Sequence, residues 1–380
     1  MAFVAIPNND QYEYDNAPPD PGAGHPMRAL WLKSSNGVRT EHGHSVYVRT
    51  RRIGSGNVDH GELSKSYWDA RGDEDDVSTT FDMTARTTAA NEAFTIPLHP
   101  SYAYNITIDW GDGSTESITK SPSNGNTLSH SYASAGDHSI SISGTFPSVY
   151  FNNNANAAKV IEVTNFGQVG WATCWRAFWG CTNMTSFTSG GTDTSSVIDM
   201  SYMFRDCTNL TSIDVSTFDT SSVTAMMQMF LECNSLTSID VSNFDVSNVG
   251  RMDFMFANCF NCTSVNVSNW DTSSATRMYS MFSLTGRDIS GTFDIIGVEN
   301  FSIASLNAYY ISFREFLIAP VGLPTARYDA FLINLDAQTS PRLTLVGFGS
   351  SKYTAGGAAE AARASLISND GWSITDGGAA

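Results

Sequence analysis

The chain has 380 residues, enough for two or three domains with buried cores, and its formal net charge of −17 argues against nucleic acid or anionic membrane as partners. Hydrophobic residues make up 41% but charged residues only 16%; Ser, Thr, Asn and Gly fill the difference, a balance suited to β-rich extracellular or virion proteins. No apolar run is long enough to cross a bilayer, and Met1 to Asp10 has neither a basic leader nor a long apolar core, so the expectation is a chain with no secretion signal and no membrane anchor.

In chain order, the proline-rich stretch Pro18 to Pro26 reads as an extended arm. Val46 to Ile53 alternates like a strand, His42 and His44 read as loop residues ahead of a metal pair, and Asp73 to Asp76 is a solvated acidic linker. Residues 1–90 are therefore expected to form an N-terminal arm or attachment region. This organisation resembles that of tailed-phage virion proteins, which anchor through their N-terminal part and project a binding domain.

Residues 91–150 read as short strands with turns: Phe94 to Ile96, Tyr104 to Trp110, His130 to Ala133 and Ala135 to Ile142, with Asp112-Gly113 as a hairpin turn. The string Asp109-Trp110-Gly111-Asp112-Gly113-Ser114, with His130, Tyr132, Gly136 and Asp137, resembles a PKD domain, with Trp110 where that family usually has Phe. The resemblance implies a small Ig-like β-sandwich. Asp109, Asp112 and Asp137 suit either turn formation or, as the alternative, a calcium site.

From about residue 155 to 286 the chain repeats every 26 residues. Phe178, Phe204, Phe230, Phe256 and Phe282 mark the period, as do Cys181, Cys207, Cys233 and Cys259, and Asp193, Asp219, Asp245 and Asp271. Ile213 and Val215 alternate as in a short strand, and Val223, Met226, Met229, Phe230 and Cys233 fall on one face of a helix. Asp219 to Ser222 between them supplies helix-capping side chains. The expectation is one strand, one capping turn and one short helix per coil.

The pattern carried by Met226, Met229, Phe230, Cys233, Leu236, Ile239, Asp240, Ser242, Phe244, Asp245, Ser247 and Val249 resembles BspA-type leucine-rich-repeat surface proteins. That family is mostly made of surface proteins that bind host or matrix components. The cysteines read as buried thiols, one per coil; an inter-coil disulfide and a zinc half-site at Cys259 and Cys262 are the alternatives. Ala358 to Leu366 reads as a helix and Gly371 to Gly378 as a strand and tight turn, together a cap for the last coil.

The fold class is thus expected to be mainly β with short helices. An Ig-like PKD sandwich at 91–150 is followed by a leucine-rich-repeat solenoid at 151–290 and a capping region at 291–380. No phosphate loop, nucleophile elbow or metalloprotease motif is present, and the expectation is a non-enzyme without cofactor or metal. The expected partner-binding surface is the strand face, with Ser212, Asp214, Ser216, Ser238, Asp240, Ser242, Ser264, Asn266 and Ser268 in ladders. The expected role is a virion surface protein of a tailed phage, either a capsid decoration or a fibre. It would contact other virion proteins through its N-terminal region, take a host-surface protein or glycan as partner, and possess no affinity for nucleic acid or membrane; a homo-oligomer is open. A bacterial cell-surface adhesin and a polysaccharide-cleaving tailspike are the alternatives.

Overall fold

The computed structural model describes residues 51–53, 57–59, 79–123, 125–290, 292–306, 315–317, 322–338 and 346–380. The proline-rich arm, His42 and His44, and the acidic run lie outside these residues, as does most of the strand expected at Val46 to Ile53. Of the N-terminal unit, residues 1–74, a short antiparallel pair is described: β1 (Arg51–Ile53) and β2 (Asn57–Asp59). Residues 75–380 form one compact unit, mainly β with two α-helices among the described residues.

In that unit β3 (Thr80–Thr87), β5 (Tyr104–Asp109), β6 (Thr115–Lys120) and β8 (Gly136–Thr145) pair antiparallel in the order β3-β8-β5-β6. A second pair, β4 (Glu92–Pro97) and β7 (Thr127–Tyr132), supplies Phe94, Ile96, Leu128 and Tyr132 to the same core as Phe81, Met83, Ile106, Ile108, Ile140 and Ile142. β3 was read from sequence as part of the N-terminal attachment region. Its Phe81, Met83 and Ala85 alternate inward between polar neighbours, as a half-buried strand requires.

The residues of the Asp-Trp-Gly-Asp-Gly string and of His130-x-Tyr132 come together. The Tyr132 hydroxyl donates to the Trp110 carbonyl at 2.9 Å, Trp110 stacks on His130, and Tyr132 stacks on His138. Gly111 has φ +81°, and a Cβ there would sit 2.2 Å from the Ser139 carbonyl oxygen. Only glycine fits this turn.

The sheet does not end at β3. β9 (Val160–Asn165) lies antiparallel to β3 on one side and parallel to β10 (Ser186–Thr188) on the other, and β10 is parallel to β11 (Ser212–Asp214). The result is one seven-stranded sheet, β11-β10-β9-β3-β8-β5-β6. β12 (Ser238–Asp240), β13 (Ser264–Asn266) and β14 (Asp294–Ile296) form a separate parallel sheet.

The other half of each repeat departs from the helix expected there. Residues 200–207, 226–233 and 252–259 are chains of tight turns, with Tyr202, Asp206, Gln228, Glu232, Phe254 and Asn258 all left-handed at φ 56° to 64°. Backbone donors alternate in destination. Met226, Gln228, Phe230 and Glu232 donate to the carbonyls of Arg251, Asp253, Met255 and Ala257 in the next repeat at 2.8 to 3.0 Å. Leu231 and Cys233 donate three residues back, to Gln228 and Phe230. A helix would spend these donors within its own segment. The spacing of Met226, Met229, Phe230 and Cys233 is the same for both conformations, so the apolar pattern could not separate them. Each left-handed non-glycine residue costs about 1–2 kcal/mol. The inter-repeat bonds, each about 1 kcal/mol net and far more costly if left unmade in a buried site, offset that.

Inside the stack, rings repeat in parallel. Phe178, Phe204, Phe230, Phe256 and Phe282 stack at centroid distances of 5.8, 5.6, 5.6 and 5.1 Å. All six cysteines are free and buried. The Sγ of Cys207, Cys233 and Cys259 donates to the carbonyl of Phe178, Phe204 and Phe230 at 3.2 to 3.3 Å, and the Thr285 hydroxyl takes that place on Phe256. Burial pushes the thiols of Cys181, Cys207, Cys233 and Cys259 well above their usual range, and that of Cys262 up to about 12. After β14, Phe316, Phe331 and Phe348 extend the core into α1 (Thr325–Asp336), α2 (Ala358–Ser368) and the parallel pair β15 (Val346–Gly347) and β16 (Ile374–Thr375). The helix expected from Ala358 is α2, whereas α1 was not foreseen. Asp376, its side chain almost fully buried, takes two bonds from Arg363 and one from the Tyr328 hydroxyl.

Two outcomes follow from this packing. Glu232→Asn should hold or raise the urea midpoint, because Asn accepts the left-handed region, while Glu232→Val should cost about 1–2 kcal/mol. Similar small effects of both changes, as in an ordinary helix, would count against the turn geometry. The native chain should give no reaction with a thiol reagent in mildly alkaline buffer and react at all six cysteines in denaturant; a native thiol that reacts at once would contradict their burial.

Candidate functional site

The strand-face residues occupy two ladders. Ser212 and Asp214 pair with Ser186 and Thr188, whereas Ser238 pairs with Ser264 and Asp240 with Asn266. β11 and β12 belong to different sheets, so the nine residues do not form one continuous row. Ser212, Asp214, Ser216, Ser238 and Asp240 are exposed; Ser242, Ser264, Asn266 and Ser268 are half-buried.

Their local chemistry explains why these residue types recur. Asp214 Oδ1 accepts the Ser216 N–H, Asp240 Oδ1 accepts the Ser242 N–H and hydroxyl, and Asn266 Oδ1 accepts the Ser268 N–H, at 2.7 to 3.2 Å. Asp193, Asp219, Asp245 and Asp271 close the same turn on Ser195, Ser221, Ser247 and Ser273. Burial works against the Asp240 charge, but the Ser242 and Asn266 bonds outweigh it and hold the carboxyl below its usual value. Each of these side chains therefore has a turn-forming duty and still offers oxygen to a partner. Asn243 Nδ2 reaches between the ladders to the Val215 and Ser216 carbonyls, and Asn269 Nδ2 donates within the second ladder's coils to that of Ser242.

Charge divides between the two sides of the repeats. From residue 160 to 286 the basic residues are Arg176, Arg205, Arg251 and Arg277, and all lie in or beside the turn segments. Asp214, Asp219, Asp240, Asp245 and Asp271 lie on or after the strands with no basic neighbour in the sequence. This distribution disfavours anionic ligands on the strand side. On the turn side, Asp253 is buried and held between Arg251 and Arg277 at 3.6 and 3.1 Å.

Sequence reasoning missed the turn side. The available signal was Trp175 and Trp179, which stand at positions where later repeats carry Ser201, Met227 and Asp253, or Arg205, Leu231 and Ala257.

The acids weighed as a calcium site are used separately. Asp109 Oδ1 accepts the Gly111 N–H at 2.9 Å, Asp112 takes the Ser114 N–H and His130 Nε2, and Asp137 pairs with Arg86 through both oxygens. Among the described residues no group of three His, Cys, Asp or Glu side chains is arranged to hold a metal, and no helix is long and apolar enough to cross a membrane.

Residues 172–291, the run of repeats from the first turn segment to just before β14, match the family model described as Mycoplasma protein of unknown function, DUF285. That similarity is compatible with a BspA-type repeat protein. No curated protein and no solved structure matches the chain.

Two carboxylates of the antiparallel region are held below their usual range. His130 and the Ser114 N–H lower Asp112 to about 2, and Lys159 with the Thr88 N–H lowers Glu92 to about 2. Folded values lie below unfolded ones, so this stabilisation is complete above the ordinary carboxylate range and fades as pH falls toward 2. Circular dichroism during acid titration should show His130→Ala unfolding at a higher pH than the parent chain; an unchanged acid midpoint would remove His130 from this role.

Proposed function

We propose that the chain is a non-enzymatic surface protein of a tailed-phage virion, a capsid decoration or fibre, that displays a repeat solenoid for attachment to a host surface. In this reading the residues ahead of β3 attach it, and β3 to β8 form a PKD-like sandwich acting as spacer. Residues 151–290 are a BspA-type leucine-rich-repeat solenoid, and residues 291–380 cap it. The observation that carries the reading is the 26-residue parallel stacking, which pairs the exposed Ser212, Asp214, Ser238 and Asp240 with half-buried polar partners on the neighbouring strands. Stacked repeats of this kind use an extended polar sheet for partners. The sheet running from β6 through β3 and β9 to β11 supports a rigid spacer-to-solenoid connection, a useful property for holding a binding surface away from an anchor.

A second reading, a bacterial cell-surface adhesin, is favoured by the similarity of residues 172–291 to a family described from Mycoplasma. A gold-labelled antibody against residues 171–286, applied to purified particles from the source, separates the two. Gold on the head is the outcome for a decoration protein, and gold on the tail for a fibre. Bare particles beside labelled host cells would reject the virion reading in favour of the adhesin.

A further inference from the structure

The first two repeats carry a surface layer of rings and guanidinium groups that stacking does not require. Among the described residues Trp110, Trp171, Trp270 and Trp372 are buried, and the two tryptophans that reach the surface are Trp175 and Trp179. Core positions keep Phe or Cys through successive repeats, but these two positions do not keep Trp. These two side chains are therefore not what every coil needs; Trp179 meets Asp206 and Tyr202 of the next coil, and Trp175 packs on Tyr150 and His99 ahead of the repeats.

The layer is ordered. Tyr150 stacks on Trp175 at 5.5 Å, and Trp179 stacks on Tyr202 at 5.6 Å. The Arg176 guanidinium lies 4.3, 4.9 and 5.1 Å from the ring centroids of Trp175, Trp179 and Tyr202. Arg205 lies 4.8 and 5.7 Å from those of Trp179 and Tyr202. Polar partners hold the edges: Arg176 Nη1 donates to Asn152 at 3.0 Å and Trp179 Nε1 to Asp206 at 2.8 Å. Arg176 Nε is buried with no hydrogen-bond partner. All six of Tyr150, Trp175, Arg176, Trp179, Tyr202 and Arg205 are half-buried, so each presents part of its surface to solvent.

We propose that this layer is a binding platform for a glycan of neutral hexoses. The C–H face of a sugar ring packs flat on an aromatic ring, and fixed, mutually stacked rings lose little entropy on binding. Sugar hydroxyls both donate and accept, which matches guanidinium donors interleaved with carboxylate and amide acceptors. Asp206 lies 3.5 Å from Arg205, and the chain's formal charge of −17 disfavours an acidic polymer. Trp, Tyr and Arg are also enriched in protein interfaces, so a protein partner is the competing occupant that the experiment below separates. The stripe runs from Tyr150, before the repeats, to Tyr202 in the second, which suits an extended oligosaccharide. This surface is distinct from the strand face and does not depend on it.

Affinity electrophoresis of the full chain in gels containing dextran, mannan, β-glucan or galactan tests the platform. Retardation by at least one polysaccharide is expected. Trp175→Ala and Trp179→Ala should each weaken it about tenfold or more, the size of a hot-spot truncation, and Trp179→Phe should keep most of it. Unchanged thermal unfolding of these variants separates lost binding from lost fold. Asp214→Asn and Asp240→Asn should leave retardation intact. Normal migration in all four gels, or retardation that survives both tryptophan substitutions, overturns the platform; the first result is also what a protein-binding patch would give. Retardation lost in the aspartate variants alone overturns it in favour of the strand face.

Discussion

In the turn segments of the repeats, every second backbone donor goes to the next repeat. A segment such as Met226 to Cys233 is buried on one side by its own Met, Phe and Cys side chains, and water cannot serve its alternate N–H groups there. Sending every second donor across the stack satisfies them and fixes the spacing of the coils. It also demands left-handed residues at Gln228 and Glu232 and their counterparts, since a run of right-handed residues would close into a helix. The stacked phenylalanines and the thiol-to-carbonyl bonds are laid down on that ladder. A coil removed from the stack would lose all three together, which is why the repeat is stable only as a series.

Much of this was legible in the sequence. The 26-residue period, the strand at Ile213 and Ile239 and the buried cysteines follow from in-register copies of Phe, Cys and Asp. The conformation of the turn segment was not, because Val223, Met226, Met229, Phe230 and Cys233 bury the same face in a helix and in a chain of turns. Gly180 and Asn258 stand at the register position of Glu232 and are left-handed too, but charged Glu232 and aromatic Phe254 at such positions diluted that signal. β3 was hidden for another reason: Thr80 to Thr87 mixes Thr, Asp and Arg with only three apolar residues, and its pairing partners in β8 and β9 lie 49 to 83 residues away. Pairing at that range leaves no mark in a local pattern.

The candidate surfaces divide similarly. Repetition exposed the Ser and Asp rows to sequence reading, yet repetition is also what turn formation produces, and each Asp proves to close a turn on the serine two residues later. The aromatic layer was obscured by the opposite property, for it breaks the repeat. In a stacked protein the conserved period reports what the fold needs from every coil, and local exceptions such as Trp175 and Trp179 mark what one coil alone is asked to do. The segregation of Arg176, Arg205, Arg251 and Arg277 from the strand-side aspartates gives the two sides different chemistry along the same stretch of chain.

A parallel stack is in principle self-templating, because the open edge of its first strand is shaped to receive another copy of its last. β9 escapes that geometry. Its free edge is taken by β3 running the opposite way, with register shifts that an incoming parallel strand could not copy. The same strand that begins the stack thus denies it a sticky end, and the N-terminal side of the repeats cannot seed a filament.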